Sequence, residues 1–326
     1  MKLLLKVVVG FGLLTMSVVH AADSVVSVNA KGLVTGVGVR VRAAPSATAQ
    51  EVGKLAFGST LTLQKRTGEK AQIGVKSAYW YHINAPMNGW VFGSFVQDFN
   101  AAQPQAAWLS LIRAKLGKAD VVIQEATLPF ADAVEISQFA SKAAAQTTDT
   151  DSKGELELAQ WRATQQALYA IPIAKGKEAP YAAWLKTLGD KAFEDEISAR
   201  YLLRTDLLWQ LADQYQKAAI GDVIAWQAAN VYPGGECEGF IVCVSGRSQM
   251  MEGEYLKRFP QGQYVQAALQ DVNETLDFLV KEWPEQRADG KDVDLVLWEK
   301  ILKPLAASPA ADKARRYLRR LQTLRG

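Results

Sequence analysis

Over residues 31–98 the apolar positions fall in short runs rich in Val, Leu, Thr, Tyr and Trp, broken at close spacing by Gly, Pro, Asn and Ser. That rhythm predicts short β-strands closing into a small barrel. Gly38-Val39-Arg40-Val41-Arg42 alternates as one strand, and Ala44-Pro45-Ser46 turns the chain. Residues 51–55, 59–63, 79–83 and 89–93 supply four more strands, with Phe57-Gly58 and residues 84–88 as turns. Side chains alternate along a strand, so Tyr79, Tyr81 and Ile83 share one face, and Trp80 and His82 share the other. Val41, Leu55, Leu61, Leu63, Ile83 and Val91 are the recurring aliphatic positions and are assigned to the core.

Past Phe99 the turn signals thin out, and Ala, Leu, Gln, Lys and Glu recur in longer periodic stretches. A linker over residues 100–104 and a helical domain over residues 105–326 are predicted. Candidate helices cover 105–116, 128–145, 154–170, 181–188, 191–215, 221–230, 236–259, 264–281, 293–305 and 311–323. None of them can bury a face alone, so they are expected to stack as a solenoid or bundle. The fold class is therefore multidomain, a small all-β barrel followed by an all-α domain.

The remaining apolar stretch is N-terminal. Lys2 and Lys6 precede an apolar core over residues 7–19, and Val19-His20-Ala21-Ala22 offers small residues to a signal peptidase. Residues 1–22 read as a signal peptide cleaved after Ala21 or Ala22, and no Cys ends the segment to take a lipid anchor. The barrel module then spans residues 23–99. Export, with the periplasm as the expected destination, places Cys237 and Cys243 in an oxidising compartment. They stand six residues apart, about 9 Å along a regular helix. If the two are joined, the helix must begin near or after Cys243. A structural staple is the reading favoured here, and the sequence leaves open whether they pair with each other.

Composition narrows the chemistry. With 49% hydrophobic and 22% charged residues the chain is globular rather than disordered. Mean hydropathy is −0.06, and no internal apolar run is long enough to span a bilayer, so no stable membrane insertion is expected after signal removal. The net charge of +3 is small and implies no nucleic-acid partner. Residues 23–99 carry eight basic and four acidic side chains, which makes the barrel mildly basic.

Of the two histidines, His20 leaves with the signal peptide, so His82 alone would have to serve any Ser-His-Asp or Cys-His hydrolase or zinc amidase. Carboxylates that could hydrolyse a glycan, such as Glu194, Asp195 and Glu196 or Glu236 and Glu238, read as solvated faces and turns. Gly36-x-Gly38 leads into no helix and cradles no phosphate. No catalytic residue, metal ligand or cofactor is assigned.

Val41-Arg42, Pro45-Ser46, Val52, Gly53, Leu55, Gly58, Leu61, Trp80-Tyr81, Ile83, Gly89-Trp90-Val91 and Phe95-Val96 stand in an order and spacing that resemble the bacterial SH3 (SH3b) family. Ala44 departs from the family's frequent Gly. The resemblance implies an SH3-like barrel and a non-catalytic module that docks secreted proteins onto cell-wall peptide, glycan or another protein. Once the aliphatic core is set aside, Arg42, Trp80 and Trp90 remain as the candidate groove. Two aromatic faces beside a guanidinium could stack on sugar or peptide and pair with a carboxylate. The competing reading is that both tryptophans close the barrel ends. Residues 252–269, with Phe259-Pro260-Gln261-Gly262, resemble the end of a tetratricopeptide-type unit of helical scaffold proteins.

The expected function is an exported, non-enzymatic binding or scaffold protein of the bacterial envelope. Its barrel docks on peptidoglycan or an envelope protein, and its helices form a protein-interaction platform. The alternatives are a peptidoglycan-lytic enzyme that the barrel only targets, or a purely protein-binding periplasmic inhibitor or assembly factor.

Overall fold

The computed structural model describes residues 24–305 and 308–326, so the expected signal peptide lies outside the described residues. The strands run β1 (Val25–Val34), β2 (Val39–Arg42), β3 (Glu51–Leu55), β4 (Thr60–Thr67), β5 (Ala71–Ile73), β6 (Lys76–Ala78), β7 (Trp80–Ile83), β8 (Gly89–Phe92) and β9 (Val96–Asp98). Seven of them form one antiparallel sheet in the order β3-β2-β8-β7-β4-β1-β9, and β5 and β6 make a separate hairpin. β1 adds to the predicted strands. It pairs with β4 from Val25 opposite Thr67 to Leu33 opposite Thr60, and its other edge takes β9.

Alternation gives this sheet two apolar faces. The inner one buries Val34, Val39 and all six residues assigned to the core, namely Val41, Leu55, Leu61, Leu63, Ile83 and Val91. Each such side chain contributes about 1.5–3 kcal/mol. The opposite face gathers Trp80, Trp90 and Phe92, with Ala71, Ile73 and Ala78 of the β5–β6 hairpin against them.

Helices follow as α1 (Pro104–Leu116), α2 (Phe130–Ala145), α3 (Thr150–Tyr169) and α4 (Tyr181–Leu188). The chain predicted as one helix over 191–215 instead forms a hairpin, β10 (Ala192–Asp195) with β11 (Arg200–Leu203), before α5 (Asp206–Gln214). The reason is local: the Asp195 carboxylate accepts the Ser198 N–H at 3.0 Å, and Ala199 takes a left-handed φ of 51°. Tyr201 and Leu203 then pack on Leu168 and Ile171, where a continued helix could not place them.

α6 (Ala219–Asn230), α7 (Ile241–Ser248), α8 (Glu254–Arg258), α9 (Val265–Glu282), α10 (Arg287–Gly290), α11 (Leu295–Leu302) and α12 (Pro309–Arg325) complete the chain. A π-helical turn over Gln249–Gly253 joins α7 to α8. The helix predicted over 236–259 therefore starts later. Glu238 and Gly239 are left-handed, with φ of 46° and 79°, and turn Cys237 to within 5.3 Å of Cys243, Cα to Cα, where the two are disulfide-bonded. Pro260 and Gly262 separate α8 from α9. One core draws on α3, α5, α6, α8, α9, α11 and α12, with Tyr255, Trp283 and Trp298 fully buried.

The barrel meets the helices through a second core. Leu33, on the β1 strand, and Phe57, in the turn after β3, pack with Trp108, Ile112, Ile136 and Ala140 of α1 and α2. The Phe57 ring stands edge-on to Phe139 at 5.2 Å, and its N–H donates to Glu135 Oε1. Gly58, at φ +73°, lies so close that a Cβ would collide with the Phe139 ring. Behind this seam the buried Arg162 donates to the carbonyls of Leu116 (2.6 Å) and Val121 (2.9 Å), closing the end of α1. Desolvation lowers its pKa to about 10, so it remains a cation at neutral pH.

Truncating the wedge should show in stability. Phe57→Ala is expected to lower the free energy of unfolding by about 3–5 kcal/mol, measured by urea denaturation followed by circular dichroism. A change below about 1 kcal/mol would mean that the seam contributes little.

Candidate functional site

Antiparallel pairing sets Trp80 opposite Phe92 and His82 opposite Trp90 on the outer face of β7 and β8. Trp80 and Phe92 are tilted against each other at 5.3 Å, and Phe92 meets Phe95 at 6.5 Å. Thr67 Oγ1 accepts the Trp80 N–H at 3.2 Å and fixes the start of β7. These three rings form the floor of a cavity of about 480 Å³, walled by Val37, Val39 and Ile73. Arg40 and Arg42 stand at its rim, two residues apart on β2.

The rim cations differ in freedom. Arg42 Nη1 donates to the Ala49 carbonyl at 2.8 Å, which ties the β2–β3 loop and uses one of five donors. Arg40 Nε pairs with Glu51 at 3.1 Å while its side chain stays 62% exposed, so solvent screens that pair and a competing anion can replace it. Lys76 Nζ lies 4.4 Å from the Phe95 ring centre. An aromatic floor beneath guanidinium groups can hold a sugar or peptide face and pair with a carboxylate.

Of the residues singled out from sequence, Arg42 and Trp80 line this cavity, and Trp90, the cross-strand partner of Arg42, stands outside its lining. Trp90 packs edge-on against His82 at 5.1 Å, with Lys65 Nζ 5.7 Å from its ring centre. Trp80 is only 3% exposed, so its ring belongs to the packed aromatic layer as well as to the floor. Phe92, Phe95, Arg40 and Ile73 were missed. Strand parity carried across the β7–β8 pair would have found Phe92, whereas Ile73 sits on a hairpin too short and polar to leave a periodic signal.

His82 Nδ1 donates to Gln64 Oε1 at 3.0 Å. Burial, then the nearby Lys65 charge, hold its pKa below the usual value, so the ring is neutral at neutral pH. Asp195 accepts from the Gly235 N–H at 3.0 Å as well as from Ser198, and the Ser198 hydroxyl is the first cause holding its carboxyl below the ordinary range. Both groups are engaged in local structure. A larger cavity, about 670 Å³, lies in the helical block beside Trp209, Met250, Met251 and Leu297. Its cations are already paired, Arg258 with Asp213 and Glu254 and Lys257 with Glu254.

Residues 37–97 match the family model of the bacterial SH3 domain, and every residue lining the 480 Å³ cavity falls within that segment. No curated protein and no solved structure matches the chain. A bacterial SH3 domain suggests a cell-wall or protein-binding role.

Floor and rim should separate in stability measurements. Trp80→Ala is expected to cost about 3–5 kcal/mol and Arg42→Gln about 1 kcal/mol, read from urea unfolding midpoints. Equal costs would contradict the assignment of Trp80 to the packed layer.

The histidine gives a pH signature. Its folded-state pKa lies below the unfolded one, so near pH 6 the unfolded chain binds more protons. The stability linked to His82 is complete above the unfolded pKa and falls as the solution is acidified through it. Thermal melts between about pH 7.5 and 5.5 should show a larger loss in the wild type than in His82→Gln. Identical losses would contradict this linkage.

Proposed function

We propose that the chain is an exported, non-enzymatic binding protein of the bacterial envelope, residing in the periplasm. Its barrel docks through the Arg40–Arg42–Trp80 cavity onto peptidoglycan. The observation that carries this reading is the cavity itself, an aromatic floor beneath two guanidinium groups within the segment that matches the bacterial SH3 domain. Wall stem peptides present carboxylates beside flat amide groups and sugar rings, which is the chemistry that such a floor and rim select.

The helical block acts as the protein-interaction platform, and the groove of Trp209, Met250, Met251 and Leu297 supports that part, because thioethers adapt to varied apolar partners. The non-enzymatic reading is supported by the engagement of His82 with Gln64 and Trp90 and of Asp195 with its turn.

Sedimentation with insoluble cell wall tests the proposal. The wild type should be retained, and the double variant Arg40→Glu with Arg42→Gln should lose retention by about tenfold or more, the scale of one lost charge-assisted pair. Its stability should fall by only about the 1 kcal/mol expected of Arg42→Gln alone, because the Arg40–Glu51 pair is exposed, so the chain stays folded while retention is lost. A wild type that stays in solution would contradict wall docking. Release of reducing ends from the wall would contradict the non-enzymatic reading.

A further inference from the structure

α12 carries more exposed positive charge than its own stability explains. Ala311, Ala314, Leu318 and Leu321 are buried and mark its packed stripe. At 100° per residue, Lys313, Arg316 and Arg320 run along the opposite side, with Arg319 beside them. All four are exposed. They project away from the body as one stripe about 10 Å long.

Most of the helix-stabilising roles in this region belong to other residues, and of the four only Lys313 has an aromatic partner, with its ammonium 5.7 Å from the Tyr317 ring centre. Arg325 donates to the Gly290 and Lys291 carbonyls at 3.2 Å, and also to Val293, at the C-terminal end of α12. Arg315 pairs with Asp312 at 2.9 Å and caps the end of α11 through the Leu302 and Leu305 carbonyls. Lys313 and Arg316 lie in the interior of α12, where the helix dipole gives a cation no stabilisation. The acids within reach are engaged: Asp312 with Arg315, Asp277 with Lys281 at 2.8 Å, and Glu299 with Gln322. Beyond residue 100, every arginine except Arg287, Arg316, Arg319 and Arg320 donates to a protein oxygen among the described residues.

We propose that Lys313, Arg316, Arg319 and Arg320 form a docking surface for the phosphate groups of an anionic phospholipid bilayer. The stripe is convex and lines none of the cavities above, so it suits an extended charged plane rather than a ligand that must be enclosed. Three of the four are arginines, whose forked donors match phosphate oxygens. Each cation near an anionic surface is worth about 1 kcal/mol, or roughly a fivefold gain in binding. The contact is peripheral, since no helix among the described residues is long and apolar enough to cross a membrane.

The test is co-sedimentation of the purified chain with vesicles of phosphatidylglycerol in phosphatidylcholine, against phosphatidylcholine alone. At about 0.05 M salt the wild type should prefer the anionic vesicles, and about 0.5 M salt should release it. The quadruple change Lys313→Gln, Arg316→Gln, Arg319→Gln and Arg320→Gln should lower that binding by about 100-fold or more. Gln is nearly as good a helix former as Lys or Arg, so the variant's melting temperature should match the wild type. Undiminished binding by a folded quadruple variant would overturn the proposal, as would a wild type without preference for anionic lipid. Equally tight competition by soluble polyglutamate would overturn it in favour of an acidic protein. Arg42→Gln should leave vesicle binding unchanged, which keeps this result separate from wall docking by the barrel.

Discussion

The packing of Phe57 and Leu33 into the cleft of α1 and α2 is the contact on which the arrangement depends. A small barrel has few residues to bury, and this one divides its apolar side chains among three places: an aliphatic interior, an aromatic outer layer and the seam. The Glu135 carboxylate completes the seam by accepting the Phe57 N–H, a turn donor that would otherwise be buried without a partner. Gly58 permits it, because the turn needs both a left-handed backbone and the absence of a Cβ. Phe99 joins the same cluster, so the short connection from β9 to α1 is packed rather than free. The barrel is thereby held against the helices, with the Arg40–Arg42 rim on the far side of β2 from the aliphatic interior.

The outer aromatic layer explains why one tryptophan lines the cavity and the other does not. Trp80 and Trp90 share a face, but Trp90 is covered by His82 and Lys65, while Trp80 borders the opening shared by β2, Phe92 and Phe95. Trp80 carries both packing and surface, a compromise consistent with a domain of this size. The rim arginines are freer, since neither is needed to fill the interior.

Much of the barrel was legible in the sequence because a period of two leaves a strong trace: the six aliphatic positions and the split between Tyr81 and Trp80 follow from parity alone. What escaped was set by contacts distant in sequence. β1 reads as ordinary chain until its pairing with β4 and β9 is known. Phe57 reads as a turn residue, and only the helices show that it is a wedge. Glu194-Asp195-Glu196 looks helical by composition, yet the bonds from Asp195 to Ser198 and Gly235 turn it into a hairpin. The helix expected over 236–259 starts only at Ile241, because the left-handed Glu238 and Gly239 and the Cys237–Cys243 closure hold the chain ahead of it in a turn. At the site, Arg42 and Trp80 could be read from the leftover polar and aromatic positions, whereas Phe95 and Ile73 depend on how the β5–β6 hairpin folds back.

The proposed docking of a wall-derived ligand in the aromatic-floored cavity of the barrel is tested most directly by nuclear magnetic resonance with soluble stem-peptide fragments of peptidoglycan. Docking there should give saturable shifts at the amides of residues 37–42 and 92–95 and at the Trp80 indole N–H, with the Trp90 indole moving less. Shifts confined to the helical block or to the Trp90–His82 side of the sheet, or no shift at all, would contradict it.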